Sequence, residues 1–296
     1  MLELIVAIDD TDIIGSKGTS SIATEIMKLV EKNNWGKGTF VTRHQLLIHP
    51  DIAYTSHNSA MAFALTLDDS KISLLELQTH LSNYLREVSA IGSDPGICIV
   101  NLATLQYSEN LIEYAYFAKQ KLLTKEIAYT LAQKCGVYLS EEGGNGLGVI
   151  GSLAAAGLRI DGNDGELKGA PKLEKGTSII VKELLANPKI ARVITKEMVD
   201  LDENDIITVR WKIRPILHKG LPVILAEKNE IGQWMTLTKD SIRTFVSDNS
   251  NVSACDDFLF DLNDELVESV HPDANCFNCL FRRWTNTSFS CTKGNR

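Results

Sequence analysis

Three carboxylates stand in one short run, Asp9, Asp10 and Asp12, inside the stretch IVAIDDTDIIGSKGTSS at positions 5–21. Carboxylates crowded together repel one another unless a cation joins them. Mg²⁺ is the natural candidate, because it takes one or two protein carboxylates together with phosphate oxygens. A loop with Gly15 and Gly18 follows, and Thr19, Ser20 and Ser21 then open a helical pattern. The start of a helix presents free N–H groups and partial positive charge, which suit phosphate. Asp9, Asp10 and Asp12 as metal ligands, beside Gly18, Thr19 and Ser20 as phosphate contacts, would form a nucleotide site. Opposed to this stands a simpler reading, in which the aspartates end a strand and one hydroxyl caps a helix.

Other residues with chemical potential fall into three groups. Arg43, His44, His49, His57 and Asn58 gather around a polar loop, and among them Arg43 is the best ligand for phosphate or carboxylate. A second glycine-rich stretch runs EEGGNGLGVIG from Glu141, with Gly144, Gly146 and Gly148 available to let a ligand or backbone approach closely. Gly146-x-Gly148-x-x-Gly151 spells the dinucleotide fingerprint, but turns at Asp161–Gly165 stand where a second parallel strand is required. A helix start packed on the sheet through Gly151, Ala154, Ala155 and Ala156 is the competing reading. The third group is the tail cysteines. Cys276-x-x-Cys279 is half of a zinc site, to which His271, Cys255 or Cys291 could contribute, but the second knuckle is missing and free thiols are the favoured reading.

The elements that must position these groups can be read from periodicity. Leu2, Leu4, Ile5, Val6, Ala7 and Ile8 form an apolar run and predict a buried strand ending in the aspartates. Ile22, Ile26, Leu29 and Val30 share one helical face up to Asn33. Gly36 and Gly38 suggest a turn, Thr39–Ile48 a strand, and His49–Ala60 a loop. Met61–Leu67 alternates as a strand does, and Asp68 and Asp69 after it read as a turn. Ser73 with Glu76 forms a capping-box pattern ahead of a helical face of Leu74, Leu77, Leu81, Leu85 and Val88. With the apolar run Ile97–Ala103, residues 60–103 make a β-α-β unit. Helices are predicted at Glu109–Gln120, Lys125–Cys135 and Ser152–Gly157, a short strand at Val137–Leu139, and a further helix at Ser178–Ala186. From Arg192 to Thr238 the segments ARVIT, IITVRWKIRPIL, LPVILAE and WMTLT read as strands. Arg210, Lys212, Arg214, His218 and Lys219 interleave there with Trp211, a pattern that suits nucleic acid and equally suits a solvated strand face.

Bulk composition narrows the class. The 296 residues are 44% hydrophobic and 23% charged, and the net charge is −8, so no global basic footprint points to nucleic acid. No signal peptide and no membrane-spanning apolar run is visible, which predicts a cytoplasmic protein with no membrane partner and six free cysteines rather than disulfides.

Four motifs, in order, resemble those of the archaeal agmatidine synthetases, enzymes that use ATP to join agmatine to the wobble cytidine of an isoleucine tRNA. They are Ile8-Asp9-Asp10-Thr11-Asp12 with Gly18-Thr19-Ser20; Arg43 to Asn58-Ser59-Ala60; Asp94-Pro95-Gly96; and the stretch GLGVIGSLAAAG from Gly146. They span roughly the first 160 residues, and Ser56-His57 stand where the family has arginine and glycine. The resemblance implies an α/β (α+β) fold: a kinase-like α/β domain with a ferredoxin-like β-α-β portion, followed by a β-rich C-terminal part. Boundaries of 1–175, 176–246 and an irregular tail at 247–296 are expected. It also implies ATP and Mg²⁺ as cofactors, Asp9, Asp10 and Asp12 as metal or phosphate ligands, and Thr19 in the place of a phosphoryl-accepting threonine. Gly18, Ser20, Arg43, Asn58, Gly144, Gly146 and Gly148 would line the nucleotide. The implied activity is phosphoryl transfer or ligation on an acceptor left open between tRNA and a small molecule, with an amine as co-substrate. The alternatives are a nucleotide- or RNA-binding protein without catalysis and, third, a dinucleotide oxidoreductase.

Overall fold

The computed structural model describes residues 1–49, 52 and 58–237, and the backbone of two short strands at 282–284 and 289–291. His57, Cys255, His271, Cys276, Cys279 and most of the acidic tail lie outside the described residues, and so does the side chain of Cys291.

A mixed α/β arrangement is built around strand β1, Leu2–Asp9. Residues Leu4 to Ile8 are all buried because the strand is covered on both faces. Leu4, Val6 and Ile8 belong to a core with helices α1 (Thr19–Lys32) and α2 (Leu74–Val88). Ile5 and Ala7 belong to a second core with α3 (Ser108–Phe117), α4 (Lys125–Cys135) and α5 (Gly148–Asp161). An apolar run without alternation is thus explained by two helical layers enclosing one sheet.

The short edge strand β2 (Gly36–Gly38), β3 (Thr42–Gln45), β4 (Ser59–Leu67), β5 (Gly96–Asn101) and β6 (Tyr138–Glu141) complete this half of the sheet. The order is β6-β5-β1-β4-β3, with every neighbouring pair antiparallel. The predicted β-α-β unit is β4-α2-β5, and β1 runs between its two strands, a split β-α-β arrangement. Ser73 caps α2 reciprocally with Glu76, as the capping-box pattern predicts.

Three local expectations are corrected. Gly36–Gly38 is a strand paired with β4 and not merely a turn, and a Cβ at Gly36 would stand 2.3 Å from the Thr66 carbonyl oxygen. The strand expected over Thr39–Ile48 forms only at Thr42–Gln45, after which the Leu47 N–H bonds to the Ala118 carbonyl and leaves the ladder. The expected helix Ser178–Ala186 divides into β8 (Ser178–Ile180) and a short helix α6 (Val181–Leu185), because Ile179 and Ile180 pair with β10 (Ile206–Thr208).

Beyond α5 the sheet continues through β7 (Glu166–Leu167), β11 (Ile216–His218), β12 (Leu221–Lys228), β13 (Trp234–Thr236), β10 and β8. Strand β9 (Arg192–Thr195) pairs parallel with β12. A further core of Val181, Leu184, Val193, Ile207 and Ile224 fills this part. The segment IITVRWKIRPIL is not one strand: it leaves the sheet after Thr208 and rejoins it at Ile216. Arg210 to Arg214 therefore lie on a loop, where Arg210 pairs with Glu227 (2.6 Å) and Arg214 with Glu166 (3.1 Å). The last described strands, β14 (Arg282–Trp284) and β15 (Phe289–Cys291), form an antiparallel pair. Among the described residues no helix is long and apolar enough to cross a membrane.

Candidate functional site

One end of the sheet collects most of the motif residues. Asp9 ends β1 opposite Gly96 at the start of β5, and Gly96 lies opposite Glu141 at the end of β6. On the other side, Ile8 lies opposite Met61, and Met61 opposite Arg43. The four sequence motifs thus reach this end because the strands carrying them run alternately toward and away from it.

Helix α5 fixes the floor. From Gly148 to Leu158 its side chains are small or apolar apart from Ser152, and it is buried along almost its whole length. Its glycines let it seat directly on the strand ends. A Cβ at Gly148 would come within 2.5 Å of the Asp94 carbonyl oxygen and 2.7 Å of that of Asp9, and a Cβ at Gly151 would stand 1.8 Å from Asp9 Oδ2. The Asp9 carboxylate occupies the space that any larger residue at 151 would need. Strand β6, which precedes α5, is antiparallel to its only named partner β5. Strand β7, which follows, lies beside β3, so the parallel pair of a dinucleotide fold is absent around this fingerprint among the described residues.

Asp10 follows with φ +52, a left-handed backbone that only Gly, Asn and Asp adopt with any ease. Such strain recurs at functional sites. Burial, then the Asp10 charge, push the Asp9 carboxyl up to about 8, although the Asp10 N–H bonds to it and pulls the other way. Burial, then Asp94, then Asp12, push the Asp10 carboxyl up to about 6. No described Lys, Arg or His forms an ion pair with Asp9, Asp10 or Asp94.

Asp12 turns to the helix start. Thr19 Oγ1 donates to Asp12 Oδ1 at 2.6 Å, and the buried Thr11 hydroxyl donates to Thr19 Oγ1 at 3.0 Å. Gly18, the N-cap of α1, adjoins Asp12, since a Cβ there would stand 3.9 Å from Asp12 Oδ2. Ser20 lies in the first turn and its carbonyl accepts from Thr24. The Thr11 carbonyl accepts from the Ala90 N–H and so ties this loop to the one that carries Asp94.

Sequence reasoning assigned no role to Asp94, although its motif, Asp94-Pro95-Gly96, is visible there. Asp94 lies beside Asp10, its Oδ1 accepts from the Asn145 N–H at 2.5 Å, and its carbonyl accepts from the Gly148 N–H at 2.8 Å. Thr11, between the aspartates, was likewise unassigned. The glycine-rich loop is folded around the chain's own carboxylates. A Cβ at Gly144 would strike Asp94 Oδ1, and one at Gly146 would strike Glu141 Oε2, both at 2.0 Å. Glu141 is itself held by Lys125 and Tyr129.

Arg43 and Asn58 stand apart from the aspartates. Arg43 shares its face of the sheet with Met61 and Ile8, toward α1 and α2, whereas Asp9 faces α5. Arg43 Nε donates to Ser59 Oγ at 3.1 Å. Asn58 Nδ2 donates to the Leu47 carbonyl. His44 is fully buried in a separate cluster, with Nδ1 2.9 Å from Asp164 Oδ1 and Nε2 2.7 Å from Thr42 Oγ1. Lys119 Nζ reaches Asp164 Oδ2 at 2.6 Å and the Gln45 carbonyl at 2.9 Å.

A four-aspartate end of a sheet, closed by a glycine-seated helix, is a fit for a hard cation and poor for a soft one, since every donor is oxygen. Among the described residues no three His, Cys, Asp or Glu side chains converge tightly enough to hold a metal by themselves. Two carboxylates supplemented by phosphate oxygens and water remain the arrangement that Mg²⁺ commonly takes.

No protein-family model matches the chain, and no curated protein matches it. Among solved structures it is similar to a tRNA agmatidine synthetase, TiaS, in complex with an isoleucine tRNA and ATP, at 25% identity and a TM-score of 0.45. The same figures hold for apo TiaS, and a tRNA fluorescent labeling enzyme is similar at 26% identity and a TM-score of 0.45. Each alignment covers 53% of this chain and 35–36% of the other, so the chain spans about a third of the length of the proteins it matches.

Proposed function

We propose that the protein is an ATP- and Mg²⁺-dependent enzyme of phosphoryl transfer or ligation, with its reacting centre at Asp9, Asp10, Asp12 and Thr19. The observation that carries this reading is the crowding of Asp9 and Asp10, both desolvated by burial, with Asp94 beside Asp10, where no described cation pairs any of the three. Buried charge without a partner is costly and is kept where a ligand supplies the partner. Asp9 and Asp10 would hold Mg²⁺, which when bound neutralises the charge of a nucleotide phosphate, with Asp12 beside them on Thr19. The order of the Asp-Asp-Thr-Asp, Asp-Pro-Gly and glycine-alanine motifs supports the same reading.

The chemistry is concrete. The bond between the γ-phosphorus and its bridging oxygen breaks, ADP departs, and a bond forms from phosphorus to an acceptor oxygen. Thr19 is a candidate first acceptor, because its hydroxyl already donates to Asp12, the pairing of nucleophile and base. Passed to a carbonyl-type oxygen, the phosphoryl group makes that carbon electrophilic. An amine then forms the C–N bond, inorganic phosphate leaves, and the amine proton passes to solvent. Catalysis of this kind rests on positioning and charge neutralisation. Asp9→Asn and Asp10→Asn should each abolish Mg-ATP turnover while leaving the circular dichroism spectrum unchanged, and full turnover in both variants would remove the assignment. The acceptor is a tRNA or a small molecule, and aminated product from either identifies it.

A second reading has its own observation. Trp211 is flanked by Lys212 Nζ at 5.0 Å and Arg214 Cζ at 4.7 Å from its ring, on an irregular loop where a base could stack. Salt-dependent RNA binding without ATP turnover, lost in Trp211→Ala, would favour a binding protein over an enzyme.

A further inference from the structure

Arg159 is a guanidinium almost wholly enclosed, 8% exposed, in the last turn of α5. Its Nε is buried with no hydrogen-bond partner, and among the described residues no hydrogen bond or ion pair reaches the side chain. The ring of half-buried Phe40 lies 4.8 Å from its Cζ, and its charge also bears on buried His44. The carboxylates that follow it in sequence are all taken. Asp161 accepts from the Tyr116 hydroxyl, Asp164 from Lys119 and His44, and Glu166 from Arg214. Burial, with nothing opposing it, pulls the guanidinium down to about 10.

A buried charge is ordinarily paired, and here the Nε–H is shut away from both protein partner and solvent. The negative end of the α5 dipole and the face of Phe40 offset part of this charge, but no carbonyl of the helix end accepts a hydrogen bond from the Arg159 Nε. A guanidinium backed by an aromatic ring keeps its planar fork of N–H donors available to a carboxylate or phosphate. Eleven residues of helix, about 16 Å, separate Arg159 from Gly148 at the aspartate end. This position is therefore distinct from the proposed nucleotide site.

We propose that Arg159, backed by Phe40, is a second binding site, which takes a small oxyanion: the phosphate or carboxylate group of a ligand. The proposal does not rest on the ATP reading.

The test uses the full chain and two probes, inorganic phosphate and acetate, each titrated against chloride at matched ionic strength. Binding is read by calorimetry and by the thermal midpoint, in the wild type, Arg159→Met and Lys121→Met, the last removing an exposed cation that lies over the Phe117 ring. Loss of one set of charge-assisted hydrogen bonds should weaken binding by about tenfold or more in Arg159→Met and leave Lys121→Met unaffected. Phosphate alone binding assigns a phosphate ligand, and acetate binding as well assigns a carboxylate-tolerant site. Absence of anion-specific binding to the wild type, or equal binding in Arg159→Met, overturns the proposal. Should Arg159→Met fail to fold, the side-chain N–H signals of arginine-labelled wild-type protein decide, with Arg159 assigned through Arg159→Lys. A shift of that signal with anion supports the site, and an unmoved signal at saturating phosphate and acetate overturns it.

Discussion

Two acidic clusters lie in the same half of the molecule and treat charge in opposite ways. At the end of β1, Asp9, Asp10 and Asp94 have no described cation beside them, and burial holds the carboxyls of Asp9 and Asp10 above the ordinary range. Around β3, Asp164 is as deeply enclosed as Asp9, yet Lys119 and His44 clasp both of its oxygens, and its carboxyl falls to about 2. Equal burial with opposite pairing separates charge kept for a ligand from charge kept for the fold. The buried triad ties β3, the end of α3 and the loop after α5 into one body, whereas the aspartate end leaves its neutralisation to something outside the chain.

The contrast can be broken most strongly at the triad. Lys119→Met leaves Asp164 buried without its ammonium partner and should destabilise the fold by about 3–5 kcal/mol, read by urea denaturation. A loss below about 1 kcal/mol would mean that the pair is replaceable and structural only in appearance. Next in size is Gly151→Ala. The added methyl would overlap the Asp9 carboxylate, so α5 must shift, at a cost of about 1–3 kcal/mol. Unaltered stability in the same denaturation would place α5 farther from β1 than described.

The opposite sign is expected at the aspartate end. Asp10→Asn keeps a residue tolerant of φ +52 and removes one charge from the crowd. It should raise stability by about 1 kcal/mol in thermal unfolding while removing turnover, the trade typical of strained functional positions. Lower stability with turnover intact would reverse the distinction between the two clusters.

The smallest effect concerns pH. Burial holds His44 below its ordinary value despite Asp164 beside it. Its contribution is therefore complete above the unfolded value of about 6.5 and is lost as pH falls from there toward the lower folded value. Asp164 adds a second loss lower down, as pH falls from about 4 to about 2. His44→Gln should flatten the upper part of the stability profile, between about pH 6.5 and the folded value. An unchanged slope there would place His44 among groups that do not titrate on unfolding.

Much of this is legible in the sequence where signals are local. The apolar run of β1, the alternation of β4, the Ser73–Glu76 cap and the bounds of α4 depend on neighbours within a few residues, and each stands where periodicity places it. The fingerprint at Gly146 lacks its second strand already in the sequence, and in the fold its glycines meet backbone and the chain's own carboxylates. What sequence could not reveal depends on distance along the chain. Ile179 and Ile180 look helical until β10 offers them a ladder. The loop at Arg210–Arg214 looks like a strand until Glu227 and Glu166 draw its cations away. The partner of His44 lies 120 residues beyond it. Asp94 joins the aspartates only because β5 runs antiparallel to β1, and no spacing in the sequence encodes that register.

The central claim, that the aspartates at the end of β1 await a cation and a nucleotide, is tested most directly by isothermal titration with ATP, with and without Mg²⁺, in the wild type and in Asp9→Asn. Binding that requires Mg²⁺ and disappears in Asp9→Asn is the predicted result. No binding to the wild type, or binding indifferent to both the metal and the substitution, would contradict the account.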